Sequence, residues 1–111
     1  MTVVAELDEV TFDLEVDGEQ AREQLARRVW ESKGRATVAC AYRERKRDGS
    51  WRPAKVVIMK FRRANDMWKR ESTVTLDAGV AVELAGAIEA WRDLIAGTGV
   101  SGDDRSDDSE E

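Results

Sequence analysis

Apolar and polar positions alternate strictly from Val10 to Val16. Val10, Phe12, Leu14 and Val16 point one way; Thr11, Asp13 and Glu15 point the other, the pattern of a half-buried strand. Asp17-Gly18 ends it. From Glu19 to Ser32 the spacing changes: Ala21, Leu25 and Val29 recur at i, i+4 and i+8, with Ala26 and Trp30 beside them, which predicts a helix. Lys33-Gly34 supplies a C-terminal stop. Arg35 to Arg45, rich in Thr, Val and Tyr, reads as a strand, and Lys46-Arg47-Asp48-Gly49-Ser50 as a hairpin turn. Trp51 to Arg63 is a further strand around Val56-Val57-Ile58-Met59, with the sole proline, Pro53, near its start. Ala64-Asn65-Asp66 is another turn, and Met67 to Leu76 another extended segment with a break expected near Glu71. Asp77 can cap a final helix whose stripe is Val80, Leu84, Ala87, Ile88, Trp91, Leu94 and Ile95. Gly97-Thr98-Gly99 ends it.

The elements predict an α+β fold: an antiparallel meander sheet backed by a C-terminal helix, with an additional N-terminal strand and helix. A chain of 111 residues suits one domain, 1–97, followed by an acidic tail, 98–111, too poor in apolar residues to build a core and expected to be disordered.

Charge changes this picture more than composition does. The net charge is −5, yet from Gly34 to Thr75 twelve bases face only four acids, a local +8. Residues 1–33 and 76–111 are both acidic. A basic segment hidden inside an acidic chain is the electrostatic footprint of a polyanion-binding surface. Tyr42, Trp51, Phe61 and Trp68 are interleaved with these bases, and aromatics among Arg and Lys suit single-stranded nucleic acid, where bases stack and phosphates meet cations. The candidate contact residues are Arg43, Arg45, Lys46, Arg47, Trp51, Arg52, Lys60, Arg62, Arg63, Trp68, Lys69 and Arg70. Trp51 and Trp68, each just after a turn, suit base stacking or strand packing equally. Tyr42 and Phe61 lean toward the core. Trp30 and Trp91 lie on or beside helical stripes and read as core or interface.

Other chemistry is thinly represented. There is no histidine, and so neither the commonest general base nor the commonest transition-metal ligand. The single cysteine, Cys40, sits in a small apolar run and reads as a packed strand residue. No Gly-rich phosphate loop or nucleophile elbow occurs. The expectation is a non-enzyme without metal or cofactor. A lone cysteine fits a reducing cytoplasm, or the nucleoid in a bacterium, and neither a membrane span nor a secretory signal is expected.

The stretch Val57-Ile58-Met59-Lys60-Phe61-Arg62, then Met67-Trp68-Lys69-Arg70, then Val74-Thr75-Leu76-Asp77 leading into Val80, Leu84 and Ile88, resembles the transcriptional positive cofactor 4 family of single-stranded DNA binders. That family's pattern is a strand ending in a basic and aromatic pair, a short turn, a basic strand, a hydrophobic triplet and a long helix. The likeness runs from about Arg35 to Ile95. It implies a homodimer built through the C-terminal helices, with curved sheets holding single strands. Carried over by position, Lys60, Arg62, Trp68, Lys69 and Arg70 would face the nucleic acid.

Two readings of function remain. One is a sequence-tolerant binder of single-stranded DNA or RNA, DNA being favoured, in support of transcription, replication or repair. The other is a regulatory interaction module that docks an acidic protein on the basic sheet. The acidic tail is either a solubilising end or an internal competitor for the basic face, and it also offers a hook for a basic protein partner.

Overall fold

The computed structural model describes residues 3–99. The expected acidic tail lies outside the described residues from position 100 onward. The chain divides into two compact units, Met1–Ala78 and Gly79–Glu111.

The first unit is one six-stranded antiparallel sheet. Its strands are β1 (Val3–Val4), β2 (Leu14–Val16), β3 (Glu19–Ser32), β4 (Arg35–Glu44), β5 (Lys55–Ala64) and β6 (Met67–Leu76), in the spatial order β1-β6-β5-β4-β3-β2. The meander expected from Arg35 to Leu76 is present. Asn65 and Asp66 turn β5 into β6 with φ of 54° and 64°. Positive φ at both central positions is the geometry whose twist matches a hairpin. The break expected near Glu71 is a β-bulge: Lys60 pairs with Ser72 and Phe61 with Arg70, which leaves Glu71 as the extra residue.

The predicted helix over residues 19–32 is instead the longest strand, β3. Its Glu, Gln, Ala, Arg and Leu are good helix formers. Pairing with β4 along Arg22–Ser32 and with β2 at its start satisfies its backbone, and that tertiary pairing overrides local preference. Asp17 and Gly18, with φ of 53° and 81°, form a tight hairpin turn rather than a strand end before a helix. The strand expected over 10–16 shrinks to Leu14–Val16, and its inward set splits: Val10 is buried and Phe12 half-buried, while Leu14 and Val16 are exposed.

Segment 5–13 does different work. β1 lies on one edge of the sheet and β2 on the other, so the chain between them crosses one face as a strap. A 3-10 turn at Leu7–Glu9 helps it cross. Leu7 and Val10 from the strap close over Ala36, Val38, Cys40 and Tyr42 of β4, Val57, Met59 and Phe61 of β5, and Trp68 of β6. What covers the core face is therefore this strap, which the sequence pattern did not suggest. Arg27 on β3 holds it, donating from Nη1 to the carbonyls of Leu7 at 2.9 Å and Val10 at 3.0 Å. Arg22 donates from Nε to the Phe12 carbonyl at 2.9 Å and lies over the Phe12 ring at 4.5 Å. Gln24 completes the clasp: its Oε1 accepts from the Phe12 N–H, and its own N–H donates to Asp13.

Among the described residues the second unit has two helices where one was expected, α1 (Ala78–Ala90) and α2 (Arg92–Gly99), with Trp91 between them. The Trp91 N–H is shared between the carbonyls of Ala87 and Ile88, the tightening common where a helix ends. α2 takes in residues 98 and 99, which had been expected to start the tail. Val80, Val82, Ile88 and Trp91 are all exposed. Sheet first and helices after, the architecture is α+β. No helix among the described residues is long and apolar enough to cross a membrane.

Candidate nucleic-acid interface

Strand alternation sorts the basic segment into two faces. Register places Ala36, Val38, Cys40 and Tyr42 against Phe61, Met59, Val57 and Lys55 on the core face. The residues between them form the opposite, open face. On β4 these are Arg35, Thr37, Ala39, Ala41 and Arg43; on β5, Val56, Ile58, Lys60 and Arg62. β6 adds Leu76, Val74, Ser72 and Lys69, and β3 adds Glu23, Ala26, Arg28, Trp30 and Ser32.

The open face has three zones. Its centre is apolar, built from Ala39, Ala41, Val56, Ile58, Val74 and Leu76. One end carries Arg35, Lys60, Arg62 and Lys69. Glu71, displaced by the bulge, pairs there with Arg62 at 3.2 Å and Arg35 at 3.5 Å. The other end carries Arg43 and Arg45, whose guanidinium carbons lie 4.2 and 4.5 Å from the centroid of Trp51. Trp51 reaches that position because it bridges to Arg45 across the β4–β5 connection. Each such contact contributes about 0.5–1 kcal/mol at a surface and holds the cation in place. Arg43 is fixed further by Glu23 at 2.6 Å, and Arg45 donates from Nε to the Gln20 carbonyl.

Of the expected contact residues, the open face thus gathers Arg43, Arg45, Trp51, Lys60, Arg62 and Lys69. Lys46, Arg47 and Arg52 are exposed on the connection beyond Arg45. That connection is shaped by Asp48, which accepts from the Ser50 N–H at 2.9 Å and hydroxyl at 2.6 Å. These bonds, the hydroxyl first, hold its carboxyl below the usual range.

Three expected residues fall on the other face. Trp68 is 3% exposed and belongs to the core, so it offers no surface for stacking. Register pairs Arg63 with Trp68, and its guanidinium lies over that ring at 5.4 Å. Arg70 lies opposite Phe61 and donates to the Met59 sulfur at 3.8 Å. The physical reason is the period of two: Trp68 and Arg70 share one face while Lys69 takes the other. Trp51, for its part, is already stacked by two arginines and displays cations rather than a bare ring.

Residues missed in the sequence are Arg28, Trp30 and Arg35. Trp30 is half-exposed on the open face, with Arg28 over its ring at 5.2 Å. The signal that could have found it is Asp17-Gly18, a strong hairpin dipeptide, which demands a strand after it.

Cys40 is buried, and burial pushes its thiol above the ordinary value, with Arg27 acting weakly in the other direction. Its Sγ lies 3.4 Å from Gln24 Oε1, to which it donates. It is a packed strand residue.

Comparison of the chain with protein-family models, with curated proteins and with solved structures found no match.

Proposed function

We propose that the protein is a sequence-tolerant binder of single-stranded nucleic acid, DNA in preference to RNA, and that the open face of the sheet is its contact surface. One observation carries this reading. Between the Glu23–Arg43 and Ser32–Arg35 rows, cations stand at both ends of a face whose centre is largely apolar, and among the described residues the acids that oppose them there are Glu23 and Glu71. Ordinary sheet surfaces intersperse both signs. Here Arg35, Lys60, Arg62 and Lys69 stand at one end and the Arg43–Trp51–Arg45 stack at the other, eight residues apart on β4. That is about 26 Å, a length suited to a few nucleotides. Glu71 and its arginines are surface ion pairs of small net worth, so phosphate can replace the carboxylate.

The order β5, tight turn, basic β6, helix also follows the pattern of the positive cofactor 4 family. By that likeness the protein is a homodimer joined through α1 and α2, whose Val80, Val82, Ile88 and Trp91 are exposed. It works in the cytoplasm, at the nucleoid in a bacterium, in transcription, replication or repair.

The test is an anisotropy titration of labelled single- and double-stranded oligonucleotides at two salt concentrations. Single strands should bind more tightly, with affinity falling at least tenfold as salt rises from 50 to 200 mM. Salt-independent binding, or none at low salt, would sink the proposal and leave the face as a dock for an acidic protein.

A further inference from the structure

Trp30 pairs across the strands with Thr37, Thr37 with Lys60, and Lys60 with Ser72, so these four side chains form one row across the open face. A cleft of about 260 Å³ opens beside the row; Trp30, Thr37 and Lys60 line it together with Glu31, Ser32 and Arg35, and Ala36 and Phe61 complete its wall. Arg28 is stacked on the Trp30 ring but does not line the cleft. Lys60 is exposed and makes no ion pair among the described residues. Its ammonium is available to an anion about two interstrand spacings, roughly 10 Å, from Trp30. The hydroxyls of Thr37 and Ser72 can donate or accept, which suits a base edge of any identity.

We propose that Trp30, Thr37 and Lys60 form a one-nucleotide subsite: a base stacks on Trp30, and an adjoining phosphate meets Lys60. This rests on the nucleic-acid reading of the open face and adds to it the stacking platform that neither Trp51, capped by two arginines, nor the buried Trp68 can supply. The cleft is too small for a drug-sized ligand but suits a single base. A larger cleft of about 540 Å³ beside Arg45, Lys46 and Arg47 has no aromatic ring among the described residues of its wall and so offers no base a stacking platform.

The experiment uses the full chain, an oligothymidine and an abasic oligonucleotide of the same length, both labelled. W30A should weaken oligothymidine binding by about 5- to 150-fold, the range of base–aromatic stacking, and leave abasic binding within about twofold. W30F should retain most of the affinity. K60A should weaken both oligonucleotides alike. W30L keeps bulk on the strand and removes the π-face; it serves the same purpose should W30A fold poorly. Equal losses on the two oligonucleotides, or no loss on either, overturn the Trp30 subsite while the nucleic-acid reading stands. Failure of the unmodified chain to bind either oligonucleotide removes both.

Discussion

Arg27 should be worth more to stability than any other exposed-looking charge on β3, and its replacement tests whether the strap is held as described. Its Nη1 donates to two strap carbonyls, those of Leu7 and Val10, at 2.9 and 3.0 Å, and its side chain is only 23% exposed. Each hydrogen bond from a charged donor contributes about 1.5–3 kcal/mol, and leaving a half-buried carbonyl unpaired costs a similar amount. Water can reach part of the site, so Arg27→Met should lose about 2–4 kcal/mol rather than the full sum. The Asp8 ion pair, at 3.3 Å, is no part of this, because Asp8 is 95% exposed. Surface pairs of that kind are worth roughly 0–1 kcal/mol, so Asp8→Asn should change stability by less than about 0.5 kcal/mol. The assay is urea unfolding of the native chain and both variants, followed by tryptophan emission. The midpoint should fall for Arg27→Met with the slope unchanged, which reports lost stability rather than a changed denatured state. Equal midpoints for Arg27→Met and Asp8→Asn would refute the reasoning, since the carbonyl bonds would then contribute nothing beyond a surface charge pair.

Removing one cation from the open face, as in Lys60→Ala or Arg62→Ala, should lower the slope of log affinity against log salt by about 0.7 per lost phosphate contact. The same change at Arg63, on the core face, should leave that slope unaltered, and titrations at four salt concentrations will separate the two. Cys40 should resist a thiol-specific disulfide reagent at pH 8 until denaturant is added; rapid native labelling would contradict its burial. Because its folded thiol ionises above the ordinary value, its contribution is present below that value and lost as pH rises through the raised one. Cys40→Ala should therefore flatten the alkaline fall in stability measured by urea midpoints. Ile88→Asp should halve the mass measured by light scattering if α1 joins two copies, and a monomeric native chain at micromolar concentration would dismiss that interface.

The meander of β4, β5 and β6 was legible because each strand is bounded by its own turn chemistry: Asp48-Gly49 before β5 and Asn65-Asp66 before β6. Tight turns are local, and local signals survive translation into structure. The charge blocks were equally legible, since they need no fold to be counted. β3 was not, because the same Ala, Leu and Val spacing that suits a helix also fits a strand once β4 lies beside it. The strap was hidden for a related reason. Leu7 and Val10 are ordinary apolar residues in an acidic segment, and only the pairing of β1 and β2 with opposite edges carries them across a face.

The candidate surface shows the same division. The chain by itself determined that a basic, aromatic-bearing segment exists between two acidic ends, and which residues compose it. Tertiary structure decided which of them stand together. A strand exposes alternate residues, so one step in register sends Trp68 into the core and Lys69 to the open face. Register depends on partner strands and on the bulge at Glu71, neither of which is encoded within any short stretch of the sequence. The row that holds Trp30 and Lys60 joins residues thirty positions apart, and only the antiparallel pairing of β3, β4 and β5 brings them together.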